Sequence, residues 1–368
     1  MRIPSSQRTT ESARATRLAG TLAIVLFAPG LTRAQLLSKP TVVPGTAEVK
    51  ATADGEPSSS KPLPFASIPQ GVDSFGSAVL GDWLYVYGGH TGKTHRYSRE
   101  TASKHFRRLN LRDRTTWEEL PGGPALQGVT LMAHGGFLYR IGGMAPHNPP
   151  GTPSDLKSVA DFARFDPESK TWTAMPPLPE PRSTHDSVVV GDKIYVIGGW
   201  SMPGGDSANA EFLGTALVFD LSRPKDGWRE LPPPPFRRRA LAVGALDGKV
   251  YAIGGLTEDG GVVKSVDIYD PATKTWSRGP ELPGGKRQGF APSAFAVDGR
   301  LYANGVDGPV FRLSTAGDRW EPVGRLATPR LTHRLLPGIA HDLLAVGGSV
   351  TGTPLTSIES FPLGEPGR

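Results

Sequence analysis

The sequence predicts an all-β protein in which six four-stranded antiparallel sheets close into a ring, the architecture called a six-bladed β-propeller. Three observations predict it. A short apolar run that ends at glycine recurs six times, a turn-forming pair precedes each run, and a tryptophan follows five of them. A small sheet cannot bury both of its faces alone, so repeated sheets stack radially and close on themselves.

The composition agrees with many short strands joined by tight turns. The 368 residues include 46 Gly and 36 Pro, and only 21% are charged. Glycine and proline are the residues that tight turns require. There is no cysteine, so side-chain packing must hold the fold without disulfides.

The first 34 residues resemble a secretory leader. A basic start precedes the apolar run Leu18 to Ala28, and small residues lie at Thr32 and Ala34. About eleven apolar residues are too few for a membrane span, which needs roughly 20. We therefore expect a signal peptide over 1–34, cleavage, a periplasmic or extracellular protein, and no membrane attachment afterwards.

The leader also accounts for most of the net charge. Residues 1–34 hold five Arg and one Glu, a net of +4 out of +6 for the whole chain, which leaves about +2. So small a charge gives no reason to expect nucleic-acid binding. Residues 35–64 are rich in Pro, Ser, Thr and Ala without periodicity, and we expect a disordered linker there.

The repeat is clearest at the six apolar runs, which we expect to be the second strand of each blade. They are Leu84–Gly89, Leu138–Gly143, Ile194–Gly199, Val250–Gly255, Leu301–Gly305 and Leu343–Gly348. A pair such as Gly81-Asp82 or Asp247-Gly248 precedes each run, as in a β-hairpin. The tryptophan of each unit is followed by a proline-rich edge; these are Trp117, Trp172, Trp228, Trp276 and Trp320.

Together, the glycine doublet, the aromatic residue near the third strand and the spaced tryptophan resemble the kelch-repeat family. The resemblance covers residues 65–363, with a tail over 364–368. It implies four antiparallel strands in each blade. Two departures stand out: Asn304 replaces the first glycine of unit five, and unit six lacks its tryptophan.

The incomplete sixth unit predicts how the ring closes. Unit six ends at Ile358–Leu363, which has the pattern of a third strand, and no fourth strand follows. The N-terminal stretch Leu63–Pro69 resembles the proline-rich edge of the other units. We therefore expect the N-terminal segment to supply the last strand of the last blade.

Arginine recurs where successive blades join, at Arg182, Arg239, Arg287 and Arg330. Two interpretations remain open. The guanidinium groups either bind an anionic ligand around the channel mouth or make hydrogen bonds between blades as part of the repeat. His185 and His333 recur with two of these arginines as R-x-x-H, which favours a structural role for both histidines.

Long loops follow the glycine doublets of the first three blades, and they suggest an off-centre pocket. We expect His90, Asn148 and Trp200 to line it. Trp200 either stacks on a sugar or peptide group of a ligand or covers its own loop.

No metal-binding or catalytic motif was found in the sequence, and we expect no cofactor. A copper-radical oxidase resembling galactose oxidase is excluded because its cofactor needs a cysteine. A mutarotase similar to the exported N-acetylneuraminate epimerases is the alternative function, with Glu211 as its acid–base group. The resemblance implies an arginine after that acid, where this chain has Gly214.

The function that we expect from the sequence is therefore binding. The mature chain would be a monomeric, exported module for a protein, or for an anionic or carbohydrate ligand, held on the loop-rich face. It would more readily be a binding protein than an enzyme.

Overall fold

The structure is a computed structural model that describes residues 64–205 and 209–364. The predicted leader, residues 35–63 of the predicted linker and residues 365–368 of the tail lie outside the described residues. Asp206, in the third long loop, also lies outside them.

The described chain forms five four-stranded antiparallel sheets and one three-stranded sheet, which are blades one to six in chain order. Blade one contains β1 (Gly76–Leu80), β2 (Trp83–Tyr87), β3 (Phe106–Asn110) and β4 (Trp117–Leu120). Blade two contains β5 (Thr130–His134), β6 (Phe137–Ile141), β9 (Phe162–Asp166) and β10 (Thr171–Ala174). Blade three contains β11 (Asp186–Val190), β12 (Lys193–Ile197), β15 (Ala216–Asp220) and β16 (Trp228–Glu230).

The second half of the ring repeats this order. Blade four contains β18 (Ala242–Leu246), β19 (Lys249–Ile253), β21 (Val266–Asp270) and β22 (Thr275–Gly279). Blade five contains β23 (Ser293–Val297), β24 (Arg300–Asn304), β25 (Pro309–Leu313) and β26 (Trp320–Arg325). Blade six contains β27 (Arg334–Pro337), β28 (Asp342–Val346) and β31 (Ile358–Pro362).

Short elements lie in the loops that connect strands within a blade or join one blade to the next. Eight short strands pair in twos: β7 (Met144–Pro146) with β8 (Leu156–Ser158), β13 (Trp200–Ser201) with β14 (Glu211–Phe212), β17 (Arg238–Arg239) with β20 (Leu256–Thr257), and β29 (Ser349–Val350) with β30 (Thr353–Pro354). Two 3-10 helices lie at Pro224–Asp226 and Lys286–Gly289. In the described part of the chain, no helix is long and apolar enough to cross a membrane.

The blades form a closed ring because each innermost strand packs against the next, and β27 returns to β1. An apolar cluster fills each of the six junctions. Phe106 and Phe165, for example, pack edge to face with ring centroids 4.8 Å apart between blades one and two. The fold is therefore the predicted six-bladed, all-β propeller.

The five spaced tryptophans join neighbouring blades through the same contact. Each indole N–H donates to a backbone carbonyl of the preceding blade: Trp172 to Pro121, Trp228 to Pro176, Trp276 to Pro232 and Trp320 to Pro280, at 2.8–2.9 Å. Trp117 donates at 3.2 Å to the carbonyl of Ala66. Ala66 thus takes the place that a proline takes after the fourth strand of another blade.

The N-terminal segment lies beside blade six, at the position where the sequence predicts its last strand. The amide of Ile68 donates to the carbonyl of Thr356, two residues before β31, at 2.8 Å. In blade two, the amide of Leu178 makes the same bond to Ala160, two residues before β9. Ile68 is 1% exposed. No strand of the described N-terminal residues pairs with β31, so the predicted fourth strand of blade six is replaced by a segment held to the β31 side of the blade through the bond of Ile68.

One detail of the repeat alignment is wrong. Asn304 is the last residue of β24 and pairs with Ser293, just as Ile253 ends β19 and pairs with Ala242. It therefore replaces an apolar strand residue, and Gly305 is the first glycine of the doublet. Val306 occupies the second glycine position.

A ring of backbone hydrogen bonds surrounds the channel on the loop-rich side. Six residues, each two positions before an innermost strand, have positive φ angles of 44–60°: Ser74, Gly128, Thr184, Ala240, Ala291 and Thr332. We call them the junction ring. Five of them donate their amide to the carbonyl of the preceding member at 2.6–3.3 Å. These bonds stabilise a backbone conformation that is unfavourable for residues with a Cβ atom.

Candidate binding site on the loop-rich face

The long loops of blades one to three form one continuous cover, which we call the canopy. Its described parts are residues 90–103, 144–158, 200–205 and 209–213. Asn148 Nδ2 donates to the carbonyl of Tyr97 at 2.7 Å, which joins the second loop to the first. The amide of Met202 donates to Ser158 Oγ at 3.0 Å, which joins the third loop to the second.

Two of the predicted ligand residues are part of the framework of this canopy. Asn148 is 5% exposed and also accepts a bond from the amide of Asp155 through Oδ1. His90 is 2% exposed. Its Nε2 lies 3.1 Å from the carbonyl of Arg96, and its Nδ1 lies 3.6 Å from Asp73 Oδ2. Both side chains hold the loops in place and present little surface to a ligand.

Three arginines at equivalent blade junctions are buried and paired. Arg182, Arg238 and Arg330 each lie two residues before a member of the junction ring and are at most 1% exposed. Each donates to backbone carbonyls of its own blade and to one carboxylate: Arg182 to Glu180, Arg238 to Asp267 and Arg330 to Glu359, at 2.5–2.9 Å. The three arginines thus make structural hydrogen bonds, as the second interpretation expects, but the bonds lie within one blade and not between blades.

Arg239 differs from these three arginines because no acid among the described residues pairs with it. Its guanidinium carbon lies 3.9 Å from the centre of the Trp200 ring and 5.7 Å from that of Phe212. Its Nε is buried without a hydrogen-bond partner. Burial lowers the pKa of Arg239 to about 10, and the nearby Tyr97 opposes this shift. Arg239 is thus a cation held by aromatic faces, with hydrogen-bonding capacity left over.

Trp200 is covered on one face by this arginine. Phe212 lies across β13 and β14 from it, with ring centroids 5.8 Å apart at 74°. The indole N–H is buried and has no partner. Of the two interpretations of Trp200, packing within its own loop matches these contacts.

Tyr97 belongs to the loop of blade one and lies near Arg239, which belongs to the opposite side of the ring. Burial raises the pKa of Tyr97, Asp73 raises it further, and Arg239 lowers it. Tyr97 also packs against His90, with ring centroids 5.0 Å apart. Asp73 and Arg239 therefore both lie within electrostatic reach of Tyr97.

The other two predicted residues lie apart from this group. Arg287 is exposed on the short helix Lys286–Gly289. Glu211 is exposed in β14, where it pairs with Ser201. Neighbouring residues of a strand point to opposite faces, so Glu211 points away from the side on which Phe212 meets Arg239. In the described residues, no three acidic or histidine side chains group as metal ligands do.

Sequence reasoning missed Asp73, Tyr97 and Phe212. Arg238 belongs to the same run of three arginines as Arg239, and the sequence gives no sign of which of the three is buried. Asp73 precedes the first junction-ring residue as Arg239 precedes the fourth, so aligning the units on that ring would have found it.

Comparison with known proteins agrees with this geometry. A family model for the kelch motif matches residues 181–235 and 237–283. Kelch-like protein 35 of Mus musculus is 27% identical over 62% of this chain and 34% of its own length. Kelch-like protein terF of Aspergillus terreus is 30% identical over 48% of this chain and 42% of its own length. The chain thus spans less than half the length of these relatives.

The solved structure of YjhT resembles the whole fold. It superposes with a TM-score of 0.66 at 17% identity and covers 82% of this chain and 97% of the YjhT chain. Ring closure, four-stranded blades and loops gathered on one face define a six-bladed β-propeller. The recurring glycine doublets and tryptophans and the matched motifs identify it as a propeller that contains kelch repeats and is similar to kelch proteins.

Proposed function

We propose that this protein is an exported binding module whose loop-rich face holds a partner protein through an acidic group at Arg239. The matched kelch motifs support the binding role, since kelch propellers generally bind proteins. The leader-like sequence of residues 1–34 supports export to the periplasm or the cell exterior. Glycans that carry a carboxylate would offer the same chemistry.

The observation that carries this proposal is the contrast between Arg239 and its three neighbours in the repeat. Arg182, Arg238 and Arg330 each have a carboxylate partner within the chain. Arg239 has none among the described residues, and aromatic rings hold its guanidinium in place. A guanidinium that is already desolvated and oriented loses little on binding a carboxylate, and the charge-assisted bond is strong.

A binding experiment tests this role directly. Panels of Glu- and Asp-rich peptides and of acidic monosaccharides, each with its carboxamide analogue, would be titrated into the full chain. The binding would be followed by calorimetry and by the NMR signal of the Trp200 indole. We expect binding of at least one acid, loss of binding for its amide, and at least tenfold weaker binding for Arg239→Gln.

Arg237→Gln is the matched control. Arg237 is the exposed neighbour of this arginine, and its guanidinium lies 3.9 Å from Glu258. We expect this variant to bind like the wild type. Equal affinity in Arg239→Gln and the wild type would exclude Arg239 as the anchor.

The same experiment decides the enzymatic alternative. N-acetylneuraminate belongs to the acid panel, and its anomeric exchange is visible by NMR. Faster exchange that is lost in Glu211→Gln would replace the binding proposal by mutarotation. Because Glu211 points away from Arg239, we expect that the protein does not accelerate this anomeric exchange.

A further inference from the structure

The innermost strands of the propeller leave one edge facing the central channel. Backbone N–H and C=O groups on such an edge need partners. The channel encloses a cavity of about 340 Å³, lined by all six innermost strands. Just below the junction ring, side chains of the first residues of these strands make hydrogen bonds to some of these backbone groups.

Arg334, the first residue of β27 in blade six, makes three of these contacts. Its Nε donates to the carbonyl of Phe75 at 3.1 Å and one terminal nitrogen donates to the carbonyl of Val129 at 3.3 Å. Phe75 and Val129 lie just before the innermost strands of blades one and two. The other terminal nitrogen donates to Asp186 Oδ1 at 2.9 Å. One side chain of blade six therefore contacts blades one, two and three.

Asp186 and Ser293 extend this set of contacts to the remaining blades. Asp186 Oδ2 accepts a bond from the amide of Val243 in blade four at 2.9 Å. Ser293 Oγ in blade five accepts a bond from the amide of Leu335 in blade six at 2.8 Å. The side chains of Arg334 and Asp186 are 23% and 10% exposed.

The ion pair crosses the channel. The blades follow one another around the ring in chain order, so blade three lies opposite blade six. Asp186 and Arg334, which are 148 residues apart in sequence, therefore meet through the centre of the molecule.

We propose that Arg334 and Asp186 form a plug that closes the loop-rich end of the channel and holds the blades in register. A ligand that arrives under the canopy meets a closed floor and does not enter the central cavity. The ion pair links five blades and gives hydrogen-bond partners to backbone groups of three of them, blades one, two and four. This role is independent of what the canopy binds.

The test uses Arg334→Met, Asp186→Ala and the double variant of the full chain. Removal of one partner leaves the other charge half-buried and unpaired, so each single change should raise the unfolding equilibrium constant about 10- to 100-fold. The double variant should lose little more than the worse single variant, because both single changes break the same contact. The amide of Val243 should exchange with solvent at least tenfold faster in Asp186→Ala, relative to the amide of Ala252 in the neighbouring strand.

Arg319→Met is the matched control, because Arg319 is an exposed arginine paired with Asp318 and Glu321. Additive losses in the double variant, or Val243 exchange no faster than in Arg319→Met, would overturn the plug. If Arg334→Met does not fold, the stability of Arg334→Lys tests the proposal instead. Lysine keeps the charge for Asp186 but cannot reach both carbonyls, so its stability should be intermediate, and a wild-type value would contradict the role across several blades.

Discussion

At the scale of single residues, three consecutive arginines have three different environments. Arg237 is exposed, Arg238 is buried against Asp267, and Arg239 lies on the Trp200 ring. Arg238 and Arg239 differ because they are neighbours in β17, and neighbouring residues of a strand point to opposite sides. The sequence predicts that arginine matters at the blade junctions, but the register that separates a structural arginine from a free one appears only in the folded chain.

The two R-x-x-H histidines are predicted to make the protein sensitive to acid. His185 and His333 are each 3% exposed, and neither ring nitrogen of His333 has a hydrogen-bond partner. Burial, with Arg330 and Arg334 close by, lowers the pKa of His333 to about 3. Burial, with Arg182 and Arg334 close by, lowers the pKa of His185 well below its ordinary value.

The direction of the effect follows from proton binding. Between about pH 6.5 and pH 3 the unfolded chain binds a proton at His333 and the folded chain does not, so acid favours unfolding. The contribution of these two neutral histidines to stability is therefore complete above pH 6.5 and falls as the pH decreases, by up to about 1.4 kcal/mol per pH unit for each histidine. Denaturant unfolding between pH 7 and pH 5 measures this slope, which should be smaller in His333→Gln. An unchanged slope would show that His333 is not neutral in the fold.

At the scale of elements, most of the repeat is readable from sequence. The first residue of each predicted turn pair has a positive φ, including Asp247, Asp298 and His341. These residues and glycine tolerate that conformation better than others, so the hairpins are marked in the chain. Asn304 shows the limit of this sequence alignment. Unit five has only one glycine to align on, and its alignment with the other units is therefore shifted by one residue.

The tryptophan of each blade is predicted to stabilise its junction through the indole N–H. Trp172→Phe keeps an aromatic ring but loses the bond to the carbonyl of Pro121, and it should lower the free energy of unfolding by about 1 kcal/mol. Trp200→Phe is the matched control, because the Trp200 N–H has no partner to lose. Chemical denaturation of both variants makes the comparison, and equal losses would argue against the indole bond as the source of the effect.

At the scale of the whole molecule, the closure of the ring can be read from a local sequence pattern, whereas the contact across the channel cannot. A missing tryptophan in unit six and a proline-rich N-terminal stretch together predict that the two chain ends share a blade. No pattern along the chain links Asp186 to Arg334, since neither residue repeats in the other units and only the ring geometry brings them together. The sequence shows that the first three loops are long, but the contacts that join them into the canopy cannot be read from it, because the loops share no repeat.

The last prediction concerns the strength of that closure. Ile68 takes in blade six the place that Leu178 takes in blade two, with the same backbone bond and similar burial of 1% and 3%. If the N-terminal segment is an integral part of the ring, Ile68→Ala should destabilise the protein as much as Leu178→Ala, by about 2–5 kcal/mol, because each leaves a cavity in a junction core. Thermal and denaturant unfolding should remain a single transition in both variants. A much smaller loss for Ile68→Ala, or a separate early transition, would mean that the segment only rests against a ring held closed by other contacts.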